Sequence, residues 1–379
     1  MKRKRAAAAA GTSRVSANER TKRQSSKSKS KAATNEDDGT QIETPVNKKN
    51  STARKTMSKQ GRPTSSGGSA CGAVNKEDAY NAALRAFALA TGELGVPQLC
   101  REFAEMRARD MANIPPKTAF DANPEKNRYR DVYCIDESRI SLTWPPGNPN
   151  EYVHANYVPI RGEKRFICTQ GPTEKTGDDF WRLVWQEKAK AIVMLCNVIE
   201  QGKPKCLQYW PETVGEKFTL PCGLVVTTID SNEVEKQLVL TKLELAVGKD
   251  TYVCMHYLWK NWPDRGVPEN FMGCFRLLTK IKPYSPVVVH CSAGIGRTGT
   301  VIGIEAAQAH LMAGEKPVIA DIVTELRKHR HGSVQTDIQY AYIHRVLIGF
   351  AENRKLIKRE EVAQFFVDYD TLLKARGCL

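Results

Sequence analysis

The stretch HCSAGIGRTG, residues 290–299, lies directly after an apolar run and directly before a helical pattern. Gly294, Gly296 and Gly299 allow the backbone to curl tightly, so that successive N–H groups point into one concavity. The loop opens onto a helix N-terminus, where unpaired N–H groups and the helix dipole favour an anion. Arg297 adds a planar fork of donors that matches phosphate oxygens. The stretch therefore predicts a cradle for a doubly charged oxyanion with a sulfur at its base.

The same surroundings act on the thiol of Cys291. A cysteine at a helix N-terminus beside a cation has a pKa well below its ordinary value of about 8.5, so it is a thiolate near neutral pH. A thiolate in a phosphate cradle predicts a nucleophile that attacks phosphorus and forms a phosphocysteine intermediate. The alternative is a structural cysteine buried on a glycine turn, and the nearby arginine and glycines argue against it.

The positive charge of the chain is concentrated at its N-terminal end. The formal net charge is +15, but residues 1–75 contain 17 Lys and Arg against 5 Asp and Glu, a net of +12, so the remainder is close to neutral. This segment is poor in large apolar residues, which predicts a disordered tail. Its clusters KRKR at 2–5 and RTKRQSSKSKSK at 20–31 favour a nuclear import receptor as partner. Weak nucleic-acid contact and a solvated charge run are the alternatives.

Cysteine usage and hydropathy predict the compartment. The 11 cysteines are scattered singly, no signal peptide precedes them, and no apolar stretch reaches the roughly 20 residues that span a bilayer. We therefore expect an intracellular protein with reduced thiols, cytoplasmic or nuclear, without a membrane span. We expect no cofactor and no metal cluster. Cys196 and Cys206 are too far apart in sequence to form a short-spaced ligand pair, and we place both in strands.

The hydrophobic pattern after residue 75 predicts an α/β domain. Two helical segments come first, separated by Gly92 and Pro97. Strand-like runs follow at 165–170, 191–199, 238–247, 251–259 and 286–291. Helical patterns then occur at 299–313, 318–330 and 339–357. This order predicts a twisted mixed β-sheet flanked by helices.

The same pattern predicts how the chain is divided. We expect a disordered basic tail at 1–75 and a single catalytic domain at 76–357. Residues 358–379 form a C-terminal extension that either continues as a helix or frays, and the sequence leaves both options open.

Further motifs accompany the 290–299 loop. In chain order they are KNRYRDV at 126–132, FICTQGP at 166–172, FWRLVW at 180–185, KCLQYWP at 205–211, NWPDRGVP at 261–268 and QTDIQY at 335–340. Together they resemble the classical, non-receptor type protein tyrosine phosphatases, a cysteine-dependent family, over roughly residues 95–355. The resemblance implies a phosphoric monoester hydrolase that removes phosphate from phosphotyrosine in protein substrates of signal transduction.

The resemblance implies a role for each residue of the 290–299 loop. Cys291 is the nucleophile, and Arg297 clamps the phosphoryl oxygens and stabilises the charge of the transition state. Thr298 donates a hydrogen bond to the thiolate, and His290 holds the surroundings of the sulfur. The backbone that binds the phosphate runs through Ser292, Ala293, Gly294, Ile295 and Gly296.

The resemblance also implies the proton-transfer machinery. Asp264 matches the aspartate of a mobile Trp-Pro-Asp loop, which acts first as general acid and then as general base. Gln335 and Gln339 match the glutamines that position the attacking water. Lys205 matches a lysine that contacts this aspartate or the phosphate, and Glu200 matches a neighbour that pairs with the arginine.

Tyrosine specificity is implied by two residues of the 126–132 motif. Tyr129 matches the aromatic side chain that stacks on the phosphotyrosine ring and deepens the cleft, so that phosphoserine is too short to reach the nucleophile. Asp131 matches the acid that binds backbone amides of the substrate peptide. This favours tyrosine specificity over dual specificity.

Two departures from the family pattern stand out. Arg265 follows the loop aspartate where the family more often has an aromatic residue or histidine, which predicts altered loop closure or local charge. The segment EYVHANYV at 151–158 has His154 and Asn156 in a pattern close to, but not the same as, the family's Tyr-Ile-Asn-Ala, which puts a structural hydrogen bond near the substrate loop in doubt.

Two other function classes compete with an active phosphatase. A pseudophosphatase would bind phosphotyrosine without turnover, but every group required for the chemistry is present. An adaptor would use the basic tail to bind chromatin or RNA and carry the phosphatase domain with it; salt-dependent nucleic-acid binding by residues 1–75 would distinguish it.

Overall fold

The computed structural model describes residues 75–378. The predicted disorder of residues 1–75 therefore lies almost entirely outside the described residues. Nine α-helices occur within the described part: α1 (Lys76–Leu94), α2 (Val96–Ala112), α3 (Thr118–Asp121), α4 (Gly177–Gln186), α5 (Met272–Ile281), α6 (Arg297–Met312), α7 (Ile319–His329), α8 (Asp337–Asn353) and α9 (Ala363–Ala375). Short 3₁₀ turns occur at Pro124–Lys126 and Arg359–Val362.

A mixed sheet of nine strands forms the centre of the described domain. Its strands, in chain order, are β1 (Arg139–Ser141), β2 (Tyr152–Ile160), β3 (Glu163–Thr169), β4 (Ala191–Met194), β7 (Lys217–Thr219), β8 (Val225–Glu235), β9 (Leu238–Val247), β10 (Asp250–Trp259) and β11 (Val287–His290). Two further short strands, β5 (Ile199–Glu200) and β6 (Lys203–Pro204), pair with each other. The spatial order of the large sheet is β1-β2-β3-β11-β4-β10-β9-β8-β7.

Strand β11 occupies the middle of this sheet and pairs in parallel with β3 on one side and β4 on the other. All four of its residues are buried, as expected for a strand with neighbours on both edges and helices on both faces. Parallel strands end at the same edge, so the residues after β3, β4 and β11 meet there. The 290–299 loop begins at this edge, and α6 carries the chain away from it.

The α/β prediction is confirmed, with local corrections. The predicted break at Gly92 is wrong: α1 continues to Leu94, and the chain turns at Gly95, where φ is +75°. Pro97 lies in the first turn of α2, where its missing N–H costs no helical hydrogen bond. Strands β2 and β8 and helix α5 were not predicted from the sequence. In β8 the polar run TTIDSNEVE conceals the strand, because much of it faces solvent.

The placement of Cys196 and Cys206 in strands is also wrong. Cys196 follows the end of β4, and Cys206 follows the end of β6, so both lie in turns where the chain leaves the sheet. Both side chains are buried, and the neighbouring Cys206 thiol together with burial raises the pKa of Cys196. Strand periodicity did not reveal this, because the apolar run 191–199 extends past the strand into a buried turn.

The C-terminal residues contribute a helix. Helix α9 buries Phe365, Phe366, Tyr369 and Leu373. It packs against α1, α2 and α8. No helix among the described residues is both long and apolar enough to cross a membrane.

Candidate active site

The 290–299 loop joins β11 to α6 and leaves no room for side chains at two of its glycines. Gly294 has φ +70°, and a Cβ atom there would lie 2.0 Å from the carbonyl oxygen of Thr169. A Cβ atom on Gly299 would lie 2.4 Å from the backbone nitrogen of Val334. The tight loop therefore depends on glycine at both positions. It wraps around the sulfur of Cys291, which accepts a hydrogen bond from the Gly294 N–H at 3.2 Å.

The Cys291 side chain is buried, at 3% exposure, yet its thiol is acidified. Burial alone would raise the pKa of this thiol. The positive charge of Arg297, the Thr298 hydroxyl and the backbone N–H groups of Thr298 and Gly294 outweigh burial and lower the pKa below its ordinary value. The Thr298 hydroxyl is buried and forms no hydrogen bond with any other group of residues 75–378, so it is free to serve the thiolate. The thiol of Cys291 is therefore ionised more readily than that of an ordinary cysteine.

Arg297, the first residue of α6, is held by two acidic side chains and a backbone carbonyl. Its Nη1 lies 2.5 Å from Glu200 Oε1, and its Nη2 lies 3.0 Å from Glu200 Oε2. It also donates to the Trp262 carbonyl at 2.9 Å, and its Nη2 lies 3.3 Å from Asp264 Oδ1. Arg297 is therefore fixed in orientation, and the predicted pairing with Glu200 is present.

The loop that carries Asp264 stands over the cleft. Asp264 Oδ2 lies 2.6 Å from Lys205 Nζ, in addition to its contact with Arg297. Partial burial opposes ionisation of this carboxyl, but Lys205, Arg297 and then Arg265 hold its pKa below the ordinary value. Two hydrogen bonds secure the loop. Trp262 Nε1 donates to the Gly266 carbonyl at 3.1 Å, and the Thr336 hydroxyl donates to the Arg265 carbonyl at 3.2 Å. Arg265 is exposed and has φ +58°. With arginine at this position, the loop still lies over the site.

The two glutamines of the QTDIQY motif lie beside the 290–299 loop. A Cβ atom on Gly296 would lie 3.0 Å from Gln335 Oε1 and 3.1 Å from Gln339 Nε2. Gln339 is fully buried, and its Oε1 accepts hydrogen bonds from the backbone N–H groups of Gln335 and Thr336. Its Nε2 has no hydrogen-bond partner within the described part of the chain. This unpartnered donor is available to a ligand or a water in the cleft.

Tyr129 forms one wall of the cleft through a contact with the loop. Its hydroxyl lies 2.8 Å from Ser292 Oγ, and Ser292 Oγ donates to the Lys205 carbonyl at 2.9 Å. Because the serine proton is committed to that carbonyl, the tyrosine hydroxyl is the donor of the first contact. Asp131 is exposed and forms no hydrogen bond or ion pair with any other residue of the range 75–378. The structure leaves this predicted site residue on the surface, outside the hydrogen bonds of the cleft.

Arg330, which was not predicted from the sequence, holds the 290–299 loop through its backbone carbonyls. Its side chain is fully buried and donates to the carbonyls of Ala293 and Gly294, each at 3.1 Å. It also reaches Asn156 Oδ1 at 2.7 Å and His154 Nδ1 at 3.0 Å. No sequence signal identifies this role, because a single arginine at the end of a helix is common on protein surfaces.

The doubt about hydrogen bonding at His154 and Asn156 is removed. His154 Nε2 donates to the Val132 carbonyl at 2.9 Å, while its Nδ1 accepts from Arg330. Burial and the neighbouring guanidinium lower the pKa of His154 to about 3, so the ring is neutral and satisfies both contacts. His154 therefore connects the 126–132 segment, through Val132, to Arg330, which holds the 290–299 loop.

Comparison with known proteins agrees with this geometry. The sequence model of the family described as Protein-tyrosine phosphatase matches residues 123–349, which include every candidate site residue. The chain belongs to the protein-tyrosine phosphatase family.

Phosphatase relatives of both receptor and non-receptor type match the domain. Human receptor-type tyrosine-protein phosphatase C is 36% identical over 241 residues, which cover 60% of this chain and 18% of that protein. Chicken receptor-type tyrosine-protein phosphatase eta is 32% identical over 69% of this chain and 19% of its own length. Human tyrosine-protein phosphatase non-receptor type 12 is 31% identical over 65% of this chain and 33% of its own length. The chain thus spans only 18–33% of the length of these relatives.

Solved phosphatase structures match over nearly their whole length. The catalytic domain of human protein tyrosine phosphatase non-receptor type 18 has a TM-score of 0.63 and 29% identity, covering 67% of this chain and 96% of that chain. A structure of the same phosphatase with HER2-pY1196 phosphopeptides has a TM-score of 0.65 and 28% identity, covering 73% of this chain and all of that chain. The fold is therefore that of a phosphatase catalytic domain.

Proposed function

We propose that this chain is a protein-tyrosine-phosphatase that hydrolyses phosphotyrosine in proteins through a phosphocysteine intermediate. The observation that carries the proposal is the convergence of three groups. An acidified cysteine lies at the base of a phosphate-sized loop, a fixed arginine lies beside it, and a carboxyl group stands over it. Family membership and the phosphopeptides bound by non-receptor type 18 support the same substrate class.

In the first step the Cys291 thiolate attacks phosphorus, and the bond between phosphorus and the phenolic oxygen breaks. Arg297 and the backbone N–H groups of the loop stabilise the three equatorial oxygens. Asp264 donates its proton to the departing phenolic oxygen, so that tyrosine leaves as a neutral phenol. The products are the phosphocysteine and the dephosphorylated protein.

The ionised state of Asp264 does not conflict with its role as an acid. Lys205 and Arg297 hold its pKa low in the substrate-free site. A phosphate dianion competes for the same two cations and adds negative charge beside the carboxyl group, both of which raise the pKa. Substrate binding itself therefore favours the protonated form that the first step requires.

In the second step water attacks the phosphocysteine and Asp264 accepts its proton. We assign the orientation of this water to the amide groups of Gln335 and Gln339; their position beside Gly296 and the unpartnered Nε2 of Gln339 support the assignment. The sulfur leaves as a thiolate, stabilised by the Thr298 hydroxyl and the Gly294 N–H. Inorganic phosphate is released and the enzyme returns to its starting state. His290 maintains the backbone around the nucleophile.

Tyrosine specificity is proposed to arise from the depth of the cleft. Tyr129, held by its contact with Ser292, lines the wall against which a phosphotyrosine ring would stack. Cys291 lies at the bottom and is nearly inaccessible, so a short phosphoserine side chain does not reach it. Asp131 is exposed at the rim and is proposed to accept hydrogen bonds from backbone amides of the substrate.

We also propose that the chain is organised as a basic tail at 1–75, a catalytic domain at 76–357 and an extension at 358–379. The tail, through its two basic clusters, would be read by a nuclear import receptor, which places the protein in the cytoplasm, the nucleus or both. Weak contact with nucleic acid is the second option for the tail. Binding of full-length protein to nucleic acid that falls steeply with salt, and is lost when residues 1–75 are deleted, would favour that option.

The deciding experiment is phosphate release from matched phosphotyrosyl and phosphoseryl peptides. We expect the full chain to release phosphate from the tyrosyl peptide only, and Cys291→Ser to release none. Tight binding of the phosphotyrosyl peptide without release would instead indicate a pseudophosphatase. Release from both peptides would contradict the proposed cleft depth while leaving the chemistry intact.

A further inference from the structure

Three buried side chains form a hydrogen-bonded chain behind the nucleophile. The Tyr209 hydroxyl lies 2.8 Å from His290 Nε2 and 2.8 Å from His256 Nε2. His290 Nδ1 lies 3.1 Å from the carbonyl oxygen of Cys291. Both histidines are fully buried and the tyrosine is 2% exposed. These hydrogen bonds therefore connect strand β10, through His256, to Cys291, which carries the sulfur.

Both imidazoles in this chain are neutral. Burial lowers the pKa of His256 to about 3 and that of His290 to about 4. Each ring thus carries one N–H group and one bare nitrogen, and the tyrosine carries one O–H group. Three protons are available for three hydrogen bonds, so the direction of each bond can be worked out.

The carbonyl of Cys291 determines the order. A carbonyl only accepts, so His290 Nδ1 must carry the proton, and His290 Nε2 is therefore bare. The bare nitrogen accepts from the Tyr209 hydroxyl, which uses the only proton that the hydroxyl has. The tyrosine oxygen must then accept its second bond from His256, so the proton of His256 lies on Nε2.

This order assigns a protonation state to an unpaired buried atom, the Nδ1 of His256. His256 Nδ1 is buried and has no hydrogen-bond partner within residues 75–378. A buried imidazole usually satisfies both nitrogens, and leaving one unsatisfied costs stability. Here the proton lies on Nε2, so the unpaired Nδ1 is an acceptor and the single N–H donor of the ring is used by Tyr209. The tyrosine hydroxyl also lies 3.8 Å from Met194 Sδ, a weaker acceptor than an imidazole nitrogen.

We propose that His256 is a positioning residue for the nucleophile, acting through Tyr209 and His290. By donating to the tyrosine oxygen, it orients the hydroxyl toward His290 and so keeps His290 Nδ1–H on the Cys291 carbonyl. That carbonyl belongs to the backbone that aims Sγ at the Gly294 N–H. Without the donor, the hydroxyl is free to rotate toward the thioether, and the brace on the nucleophile's backbone loosens.

The location of His256 gives the arrangement a second consequence. His256 lies in β10, and the same strand ends at Trp259, shortly before the loop that carries Asp264. The nucleophile and the acid are thus positioned from one strand. The inference rests on the proposed role of Cys291, but it concerns the thiolate and not turnover, so the two are tested separately.

The test compares two replacements of His256 in the full chain. His256→Gln places an amide N–H near the position of Nε2 and retains the donor. His256→Phe keeps an aromatic ring against Trp210, whose ring lies 4.4 Å from that of His256, but has no donor. The readout is the pH dependence of Cys291 alkylation by iodoacetate, which reports the thiolate. The ionisable groups coupled to Cys291, which are Arg297, Arg330, Cys168 and Cys196, are unchanged in both variants.

We expect His256→Phe to move the alkylation midpoint to higher pH and to lower the alkylation rate at pH 6 by roughly three- to tenfold, the size of one lost hydrogen bond. His256→Gln should keep the wild-type midpoint. Equal midpoints for the wild type and His256→Phe would overturn the proposal, as would a Gln variant that behaves like Phe.

A second background keeps the test decisive if His256→Phe does not fold. Tyr209→Phe removes the central hydroxyl and should shift the midpoint in the same direction. In that background His256→Gln should have no further effect on the midpoint, because the hydrogen bonds that connect His256 to His290 are already lost. An unchanged midpoint in Tyr209→Phe would overturn the inference, whether or not the protein proves to be a phosphatase.

Discussion

At the scale of single residues, the reactivity of Cys291 is a balance between opposing effects. Burial raises the pKa of the thiol, whereas Arg297, Thr298 and the loop backbone lower it, and the second set prevails. A folded-state pKa below the ordinary value means that the thiolate is present above that pKa and is lost as the pH falls through it. Removing one donor should therefore move the loss of thiolate to higher pH.

We predict that Thr298→Val raises the pKa of Cys291, since valine keeps the shape and removes the hydroxyl. The alkylation midpoint should shift to higher pH, and the second step should slow because the departing thiolate is less stabilised. Thr298→Ser, which retains the hydroxyl, is the matched control. An identical midpoint in the valine and serine variants would mean that the hydroxyl does not serve the sulfur.

A second prediction concerns Asp264. Asp264→Ala should reduce kcat on a phosphotyrosyl peptide by roughly 10²- to 10⁴-fold, the usual contribution of a positioned acid. Binding of the peptide should persist, because Arg297 and the loop are untouched. Glu269→Ala, an exposed carboxyl later in the same loop, is the control. Normal turnover by Asp264→Ala would show that another group is the acid.

At the scale of elements, one residue joins the start of α8 to the acid loop. The Thr336 hydroxyl accepts a hydrogen bond from the Gln339 N–H, and the Gln339 side chain completes a capping box. The same hydroxyl donates to the Arg265 carbonyl at 3.2 Å. The cap of the helix and the closed position of the loop therefore depend on one oxygen atom.

We predict that Thr336→Val lowers the free energy of unfolding by about 1 kcal/mol, the typical value of a lost N-cap. It should also lower kcat, because the loop loses its contact with α8. Denaturant unfolding and steady-state kinetics measure the two effects, with Thr336→Ser as the control. A loss of stability with unchanged kcat would show that the Thr336 hydroxyl caps the helix but does not hold the loop in its catalytic position.

At the scale of the whole domain, α9 is attached by apolar packing more than by charge. Phe365 is fully buried within the core. Arg376, just beyond the helix, pairs with Asp337 at 2.5 Å, but its side chain is 53% exposed. Exposed ion pairs contribute roughly 0–1 kcal/mol, whereas truncating a buried phenylalanine costs about 3–5 kcal/mol.

We therefore predict that Phe365→Ala destabilises the domain by about 3–5 kcal/mol, and Arg376→Ala by less than about 1 kcal/mol. Urea unfolding of the two variants measures the difference. Comparable losses in both would mean that the ion pair, and not the apolar face, holds the helix.

Local patterns determined much of this protein from sequence. The spacing of HCSAGIGRTG predicted a strand, a phosphate-binding loop and a helix, because each depends on residues close together in the chain. The strands β9, β10 and β11 were predicted for the same reason, since their periodicity is local. The motif resemblance assigned roles to residues that are distant in the chain but left the contacts between them open.

The tertiary structure alone decided which distant side chains meet. Arg330 reaches the loop carbonyls from just beyond α7, and His256 in β10 reaches Tyr209 in the segment between β6 and β7. These contacts exist only because the tertiary fold brings segments that are distant in the chain together. The buried turns at Cys196 and Cys206 were mistaken for strands because burial produces apolar runs in either conformation. Sequence therefore determined the nucleophile and its loop, which short-range chemistry specifies. Only long-range packing determined the network of buried side chains that orients them.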